Sequence, residues 1–335
     1  MKKYKQTIKT VAITFFAILL LITPLHANGE LLLQITVTTD KQEYNLGEAV
    51  YIEGSLKLDG TPVEDALVGI EVRDSADLPY IFRTRPTGTI TTQDWPVNFT
   101  SLFPCDSNGN PKYIFEKNEF LWISFTVKNF DQWSSHDIIV CITLYDADGV
   151  PVGVWLPYST TLDGGKSTTI YFMATQISDS MALGTATIYA NIYSRLPRNG
   201  GYPYCPEKTA TFTITSSTYA SKLLKNPSSQ AQNGNYNVSF KIASKDVRLG
   251  NYTVYVSSFY WSQLATGSTT FTVILMGDIN GDKVVNFKDA IILGAAFGSE
   301  PEDPNWDYRA DINGDKVVNF KDAIILGADF GKSGI

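Results

Sequence analysis

Histidine is nearly absent from this chain: 335 residues contain two, His26 and His136. Cysteine (three) and methionine (four) are scarce too. His26 lies in the N-terminal leader described below. The remaining histidine, with at most two free cysteines after any disulfide, leaves no ordinary zinc site, which takes three or four side-chain ligands. In "WSSHD", His136 adjoins Ser134, Ser135 and Asp137. Neighbours in sequence do not make a catalytic triad, whose members meet only in the fold. "LDGGKST" resembles a phosphate-binding loop at Gly165-Lys166-Ser167, but Thr160 stands where the leading glycine belongs, so the stretch reads as a hairpin turn. Nothing marks a carboxylate pair for glycoside hydrolysis. Basic blocks are missing as well. The formal net charge is −7, and no run of Lys and Arg is present to neutralise phosphates, which argues against nucleic acid as a partner. The expectation is a protein that is not an enzyme.

Long apolar runs are confined to the start. "MKKYKQTIKTVAITFFAILLLITPLHANGE" places four lysines and no acid before and around an apolar run from Val11 to Leu21, then small residues at Ala27 and Gly29. That is the layout of a secretory signal peptide, residues 1–27, cleaved after Ala27. The run is short for a membrane anchor, and no later stretch is long enough to cross a bilayer. Cleavage removes four lysines and leaves a net charge of −11. The expected location is extracellular and associated with the cell surface. There Cys105 ("FPCDSNG") and Cys205 ("YPYCPEK"), both in turn-like contexts, could pair, while Cys141 in "DIIVCITLY" reads as a buried thiol. Sequons at Asn98, Asn237 and Asn251 are compatible with a glycosylated surface.

From Leu31 to about Tyr260 the hydrophobic period is two. "LLLQITVTT", "AVYIEGSLKL", "ALVGIEVRD", "FLWISFTVKN", "STTIYFMAT" and "TATIYANIY" are β-branched and aromatic runs, separated by turns such as "NLGE", "LDGTP" and "DADG". Many short strands with polar turns predict a mainly β protein made of immunoglobulin-like sandwiches. Residues 31–84 hold about four strands and then stop. Three more follow 235, and "LGNYTV" sets Tyr252 two residues after Gly250 at a strand entry, as in a tyrosine corner. Three strands make half a sandwich; four plus three complete one. The expected organisation is therefore one sandwich from residues 31–95 plus 216–275, with a second, 97–215, inserted between its halves. The alternative is a tandem arrangement. Tryptophans 95, 122, 133, 155 and 261, with many tyrosines, could also stack on sugar rings.

The tail repeats itself. Asp278–Gly298 and Asp311–Gly331 differ at one position of twenty-one, Ala296 against Asp329. Each copy opens with "DINGDKVVNFKD", in which acidic or amide side chains fall at positions 1, 3, 5, 9 and 12: Asp278, Asn280, Asp282, Asn286 and Asp289, then Asp311, Asn313, Asp315, Asn319 and Asp322. With the main-chain carbonyl at position 7, Val284 or Val317, this spacing lets twelve residues wrap one hard cation. Calcium takes six to eight oxygens, whereas magnesium demands a tighter octahedron and retains its waters. Position 8, Val285 and Val318, is apolar and suited to pairing the loops back to back. "DAIILGAAFG" and "DAIILGADFG" read as short helices ended by glycine. Residues 276–335 carry eleven acidic and six basic side chains, net −5, which two Ca²⁺ would nearly neutralise.

Two such loop–helix units, residues 277–332, joined by "SEPEDPNWDYRADI", resemble a dockerin of the first type. The resemblance implies a calcium-dependent module that docks on a cohesin-like surface protein. It also implies that positions 10 and 11 of each loop, Phe287 with Lys288 and Phe320 with Lys321, face the partner. Lys283 and Lys316 depart from the family at position 6, where glycine is usual. The opening stretch "TTDKQEYNLGEAVYIEGSLKLDGTPVEDALVGIEV" resembles macroglobulin-like domains of prokaryotic surface proteins, and the middle segment resembles the CARDB adhesion-type sandwiches. The expected function is non-catalytic: sandwiches as adhesive or spacer parts, with the tail as the docking element. The competing expectation is a glycan-binding accessory subunit of a polysaccharide-degrading assembly.

Overall fold

The computed structural model describes residues 32–90, 94–216 and 233–335. The expected signal peptide lies outside the described residues. Seventeen strands and two α-helices are present among those described.

Four sheets carry the β part. Strands β1 (Leu33–Thr39), β3 (Ala49–Leu58) and β15 (Asn235–Lys241) form one sheet in the order β1-β3-β15, with β4 (Thr61–Pro62) at its margin. Opposite lie β2 (Glu43–Asn45), β17 (Gln263–Ile274), β16 (Gly250–Tyr260), β5 (Leu67–Arg73) and β6 (Pro79–Pro86), in the order β2-β17-β16-β5-β6. Thus β15 returns to pair antiparallel with β3 (Val238 opposite Ile52), and β16 pairs with β5 (Val256 opposite Ile70). Alternation buries Val50, Ile52, Val238 and Phe240 of one sheet against Ile70, Val254, Phe271 and Val273 of the other. The Tyr252 hydroxyl donates to the Arg248 carbonyl at 2.9 Å, the tyrosine-corner bond anticipated from "LGNYTV". The short strands β2 and β4 escape sequence reading because three residues and two are too few to show a period.

The intervening chain forms the other two sheets. Their orders are β12-β9-β7 and β11-β10-β13-β14-β8, from β7 (Val97–Cys105), β8 (Ile114–Glu116), β9 (Phe120–Asn129), β10 (His136–Tyr145), β11 (Pro151–Leu162), β12 (Ser167–Gln176), β13 (Gly184–Tyr193) and β14 (Lys208–Thr215). Leu121, Ile123 and Phe125 pack there against Ile142, Ile188 and Phe212. The "LDGGKST" turn joins β11 to β12. These are strands of different sheets, so it is a crossover between layers and not the expected hairpin. Its geometry is fixed by Gly165 N–H donating to Asp131 O and Lys166 N–H to Asp163 O.

All three cysteines are free and buried. The Cys105–Cys205 pair does not form, because the residues occupy opposite faces. Cys105 sits across from Trp122, on the side of its sheet turned from the core, whereas Cys205 belongs to that core. Burial pushes the Cys105 thiol up to about 11 and the Cys205 thiol to about 12. Cys141 is a buried thiol as expected. Burial also raises its pKa.

The two sandwiches meet along β6. Phe82 N–H donates to the Thr143 hydroxyl at 2.9 Å, Asn191 Nδ2 to the Phe82 carbonyl at 3.1 Å, and the Tyr193 hydroxyl to the Arg83 carbonyl at 2.7 Å. Arg83 and Glu207, whose side chains are 6% and 7% exposed, pair through two hydrogen bonds of 2.7 and 2.9 Å, with the guanidinium 3.6 Å over the Tyr189 ring. A buried pair of this kind is weak evidence of net stability, but losing one partner strands a desolvated charge. Glu207→Ala should therefore cost about 3–5 kcal/mol in urea unfolding, and Arg83→Met with Glu207→Leu should recover most of that loss. A single variant no less stable than the double would contradict this role for the pair.

Candidate metal centre and docking face

Each dodecamer folds as a loop closed by its own last residue. Asp289 is fully buried; its Oδ1 accepts from Asn280 N–H at 3.1 Å and its Oδ2 from Asn286 N–H at 2.8 Å. Asp322 does the same with Asn313 and Asn319 N–H, at 3.1 and 2.9 Å. The carboxylate thus ties positions 3 and 9 together and completes a capping box, in which Asn286 or Asn319 also receives N–H bonds of the first turn. Helices α1 (Phe287–Ala296) and α2 (Phe320–Asp329) start there. They end before Gly298 and Gly331, whose φ values of 85° and 84° are left-handed.

Within the loops the oxygens point inward. Asp278 Oδ1 accepts from Gly281 N–H at 2.9 Å, and Asn280 Oδ1 from Asp282 N–H at 2.8 Å. The second loop repeats the latter contact between Asn313 and Asp315. Lys288 Nζ lies 3.0 Å from Asp282 Oδ2, and Lys321 Nζ 2.8 Å from Asp315 Oδ2. These hydrogen bonds hold both carboxyls below the usual range. Among the described residues no three acidic, histidine or cysteine side chains converge as one metal-ligating group. The donor set nevertheless fits a hard cation: it is all oxygen, and Asp311 Oδ1 is buried without a hydrogen-bond partner.

Position 6 adopts the left-handed backbone that favours glycine. Lys283 and Lys316 have φ of 65° and 67°, in the region where a side chain is strained. At position 8, Val285 and Val318 are both fully buried in one shared apolar cluster. Val285 N–H donates to Lys332 O and its carbonyl accepts from Gly331; Val318 N–H donates to Ser299 O and its carbonyl accepts from Gly298. Each loop is braced by the segment that follows the other repeat's helix. A dimer-like exchange of this sort relates the two units by an approximate two-fold rotation.

The docking candidates lie outside. Phe287 is 74% exposed and Phe320 73%, too open for either ring to serve the core. Lys288 and Lys321 are exposed beside them. Ile291 and Ile324 are exposed too and fall four residues after each Phe, so each helix shows an apolar stripe. Sequence reading passed over these isoleucines; the i, i+4 step from Phe287 was the signal that could have found them.

Residues 276–329 match the family model of the dockerin type I domain. The tail is a type I dockerin-like module. Such a module binds calcium and docks on cohesins. No curated protein matches the chain. Among solved structures, the chain is similar to the C-terminal domain of Wzt (11% identity, 41% of this chain and 85% of that one, TM-score 0.31). It is also similar to the CARDB domain of PF1109 from Pyrococcus furiosus, solved with di-metal ions (13%, 37% and 97%, TM-score 0.25). A third likeness is to the Pseudomonas fluorescens alkylpurine DNA glycosylase AlkC bound to DNA (14% identity, TM-score 0.27), covering 36% of this chain and 30% of the glycosylase. At these scores no ligand or activity transfers to this chain.

The remaining sequence candidates are scattered. His136 opens β10 with its ring edge-on to Tyr204 at 5.3 Å. The Ser135 hydroxyl bonds Asp163, and Asp137 accepts from Thr161, so these four residues make no relay. Trp133 is 95% exposed in a loop and Trp261 is exposed at a hairpin tip, whereas Trp95 and Trp155 pack on the second core. Among the described residues no helix is long and apolar enough to cross a membrane. From the left-handed φ at position 6, Lys283→Gly and Lys316→Gly should each stabilise the calcium-loaded dockerin by about 1 kcal/mol. Calorimetric unfolding with excess calcium measures this, and an unchanged or lowered transition would refute the strain.

Proposed function

We propose that the chain is a secreted, non-catalytic surface protein that docks to a cohesin-like partner through its dockerin. The observation that carries this reading is the pair of exposed phenylalanines, each beside an exposed lysine, at the same positions of a repeated loop. An aromatic next to a long cation is a common hot-spot composition. In this reading each loop holds one Ca²⁺, through Asp278, Asn280, Asp282, Val284, Asn286 and Asp289 in the first, and Asp311, Asn313, Asp315, Val317, Asn319 and Asp322 in the second. The ion would supply positive charge and fix each loop's shape. Phe287, Lys288, Phe320 and Lys321 would meet the partner. Residues 31–95 plus 216–275 would be one domain and 97–215 an inserted one, a reading that the β3–β15 and β5–β16 pairings support. Together these domains would form the adhesive or spacer part.

One observation favours glycan binding as a second role. Trp122 and Tyr171 lie side by side on the outer face of β9 and β12, ring centroids 5.8 Å apart and 35° from parallel, with Tyr171 exposed. Flat aromatic surfaces of this kind suit sugar rings. A glycan array probed with the full chain would support this role through hits that Trp122→Ala removes, and exclude it through none.

The two-fold relation gives the docking reading a sharper test. Capture by a recombinant type I cohesin should require calcium. Replacing Phe287 and Lys288 by alanine should leave affinity nearly intact, as should replacing Phe320 and Lys321, whereas all four together should abolish capture. Complete loss with either double variant that still holds its calcium would refute equivalent faces.

A further inference from the structure

The two dodecamers are identical in sequence, yet their surroundings are not. After each helix the chain turns at a left-handed glycine and runs behind the other repeat's loop, making the two bonds to Val285 or Val318 described above. Beyond that point the segments diverge: Gly331-Lys332-Ser333-Gly334 behind the first loop, Gly298-Ser299-Glu300-Pro301 behind the second. Behind the first loop the chain continues in two isolated β-bridges. Ser333 bridges Val284, and Gly334 N–H donates to the Lys283 carbonyl at 2.9 Å. The counterpart of Gly334 is Pro301, which has no N–H to give the Lys316 carbonyl.

The far side of this C-terminal segment is bonded to the first sandwich. Ser333 N–H donates to Ser244 O at 3.2 Å, Ile335 N–H to Val247 O at 2.9 Å, and Lys332 Nζ to Leu46 O at 2.6 Å. Asp329, the one residue that distinguishes the repeats, completes the seat. It is buried and accepts from Asn45 Nδ2 at 2.7 and 2.8 Å, from Lys332 Nζ at 2.7 Å, and from Gly277 N–H at 3.0 Å. Gly277 immediately precedes Asp278, the first position of the first loop.

We propose that the two calcium sites are unequal: the first loop, clamped through Gly277 and Gly331–Ile335 onto the sandwich, is the tighter site, and its loading is coupled to the seating of the dockerin. This rests on the calcium reading above. Both neighbours of the Val284 carbonyl, Lys283 and Val285, are held by main-chain bonds to the C-terminal segment, so the ion has less of this loop left to order. By linkage, calcium in the first loop tightens the seat by the same factor that the seat tightens calcium. The second loop lacks the Gly334-type bond, and its ion must supply that order itself.

Calcium titration calorimetry on the full chain tests this. Asp311→Ala with Asp315→Ala leaves the first loop; Asp278→Ala with Asp282→Ala leaves the second. The remaining first loop should bind about tenfold more tightly than the remaining second, equivalent to about 1.4 kcal/mol. Adding Asn45→Ala, on the sandwich and outside the dockerin, should remove most of that gap by weakening the first loop. Removing Ser333–Ile335 should do the same. Equal loops, or a loss shared equally by both loops on Asn45→Ala, would overturn the inference. A native chain that takes up no calcium would instead overturn the calcium reading itself.

Discussion

A carboxylate buried at the twelfth position of each loop decides the shape of the tail. Asp289 and Asp322 each bond two loop N–H groups and start a helix in the same stroke. A buried carboxylate is costly unless its oxygens are satisfied, and here loop closure satisfies them. Everything functional in the tail follows from that closure. It turns the oxygens of positions 1, 3 and 5 into the loop, leaves positions 10 and 11 outside on the first helical turn, and sends α1 and α2 off with Phe287, Ile291, Phe320 and Ile324 facing solvent.

The rest of the molecule gives that unit a fixed seat. β15 returns to β3, and β17 delivers the chain beside β2, so the dockerin begins next to Asn45. Apolar residues of the dockerin, among them Ile279, Val285, Leu293 and Leu326, share one buried cluster with the first sandwich. The second sandwich is tied to the first through β6 and the Arg83–Glu207 pair. The tail is therefore packed on the first sandwich and not set apart from it.

Much of this was legible in the sequence where one local rule sufficed. Period-two runs located the long strands, the tyrosine corner announced itself in "LGNYTV", and the doubled acid–amide spacing located both loops. The positive φ at Lys283 and Lys316 agrees with the glycine that is usual at that position in the family they resemble. Reading failed where a contact joins distant segments. "LDGGKST" looked like a hairpin because turn residues do not reveal which sheet the next strand joins. Nothing in the sequence tells why Asp329 departs from the repeat, since its partner Asn45 lies 284 residues away.

Hydrogen exchange on the full chain, with calcium and then with chelator, tests the central claim most directly: the tail is a calcium-built docking unit on a sandwich base that holds its own fold. Chelation should release the amides of residues 277–335, including the Val285 and Val318 N–H groups, while those of β3, β5, β9 and β13 stay protected. A tail whose protection is the same with and without calcium would contradict the account.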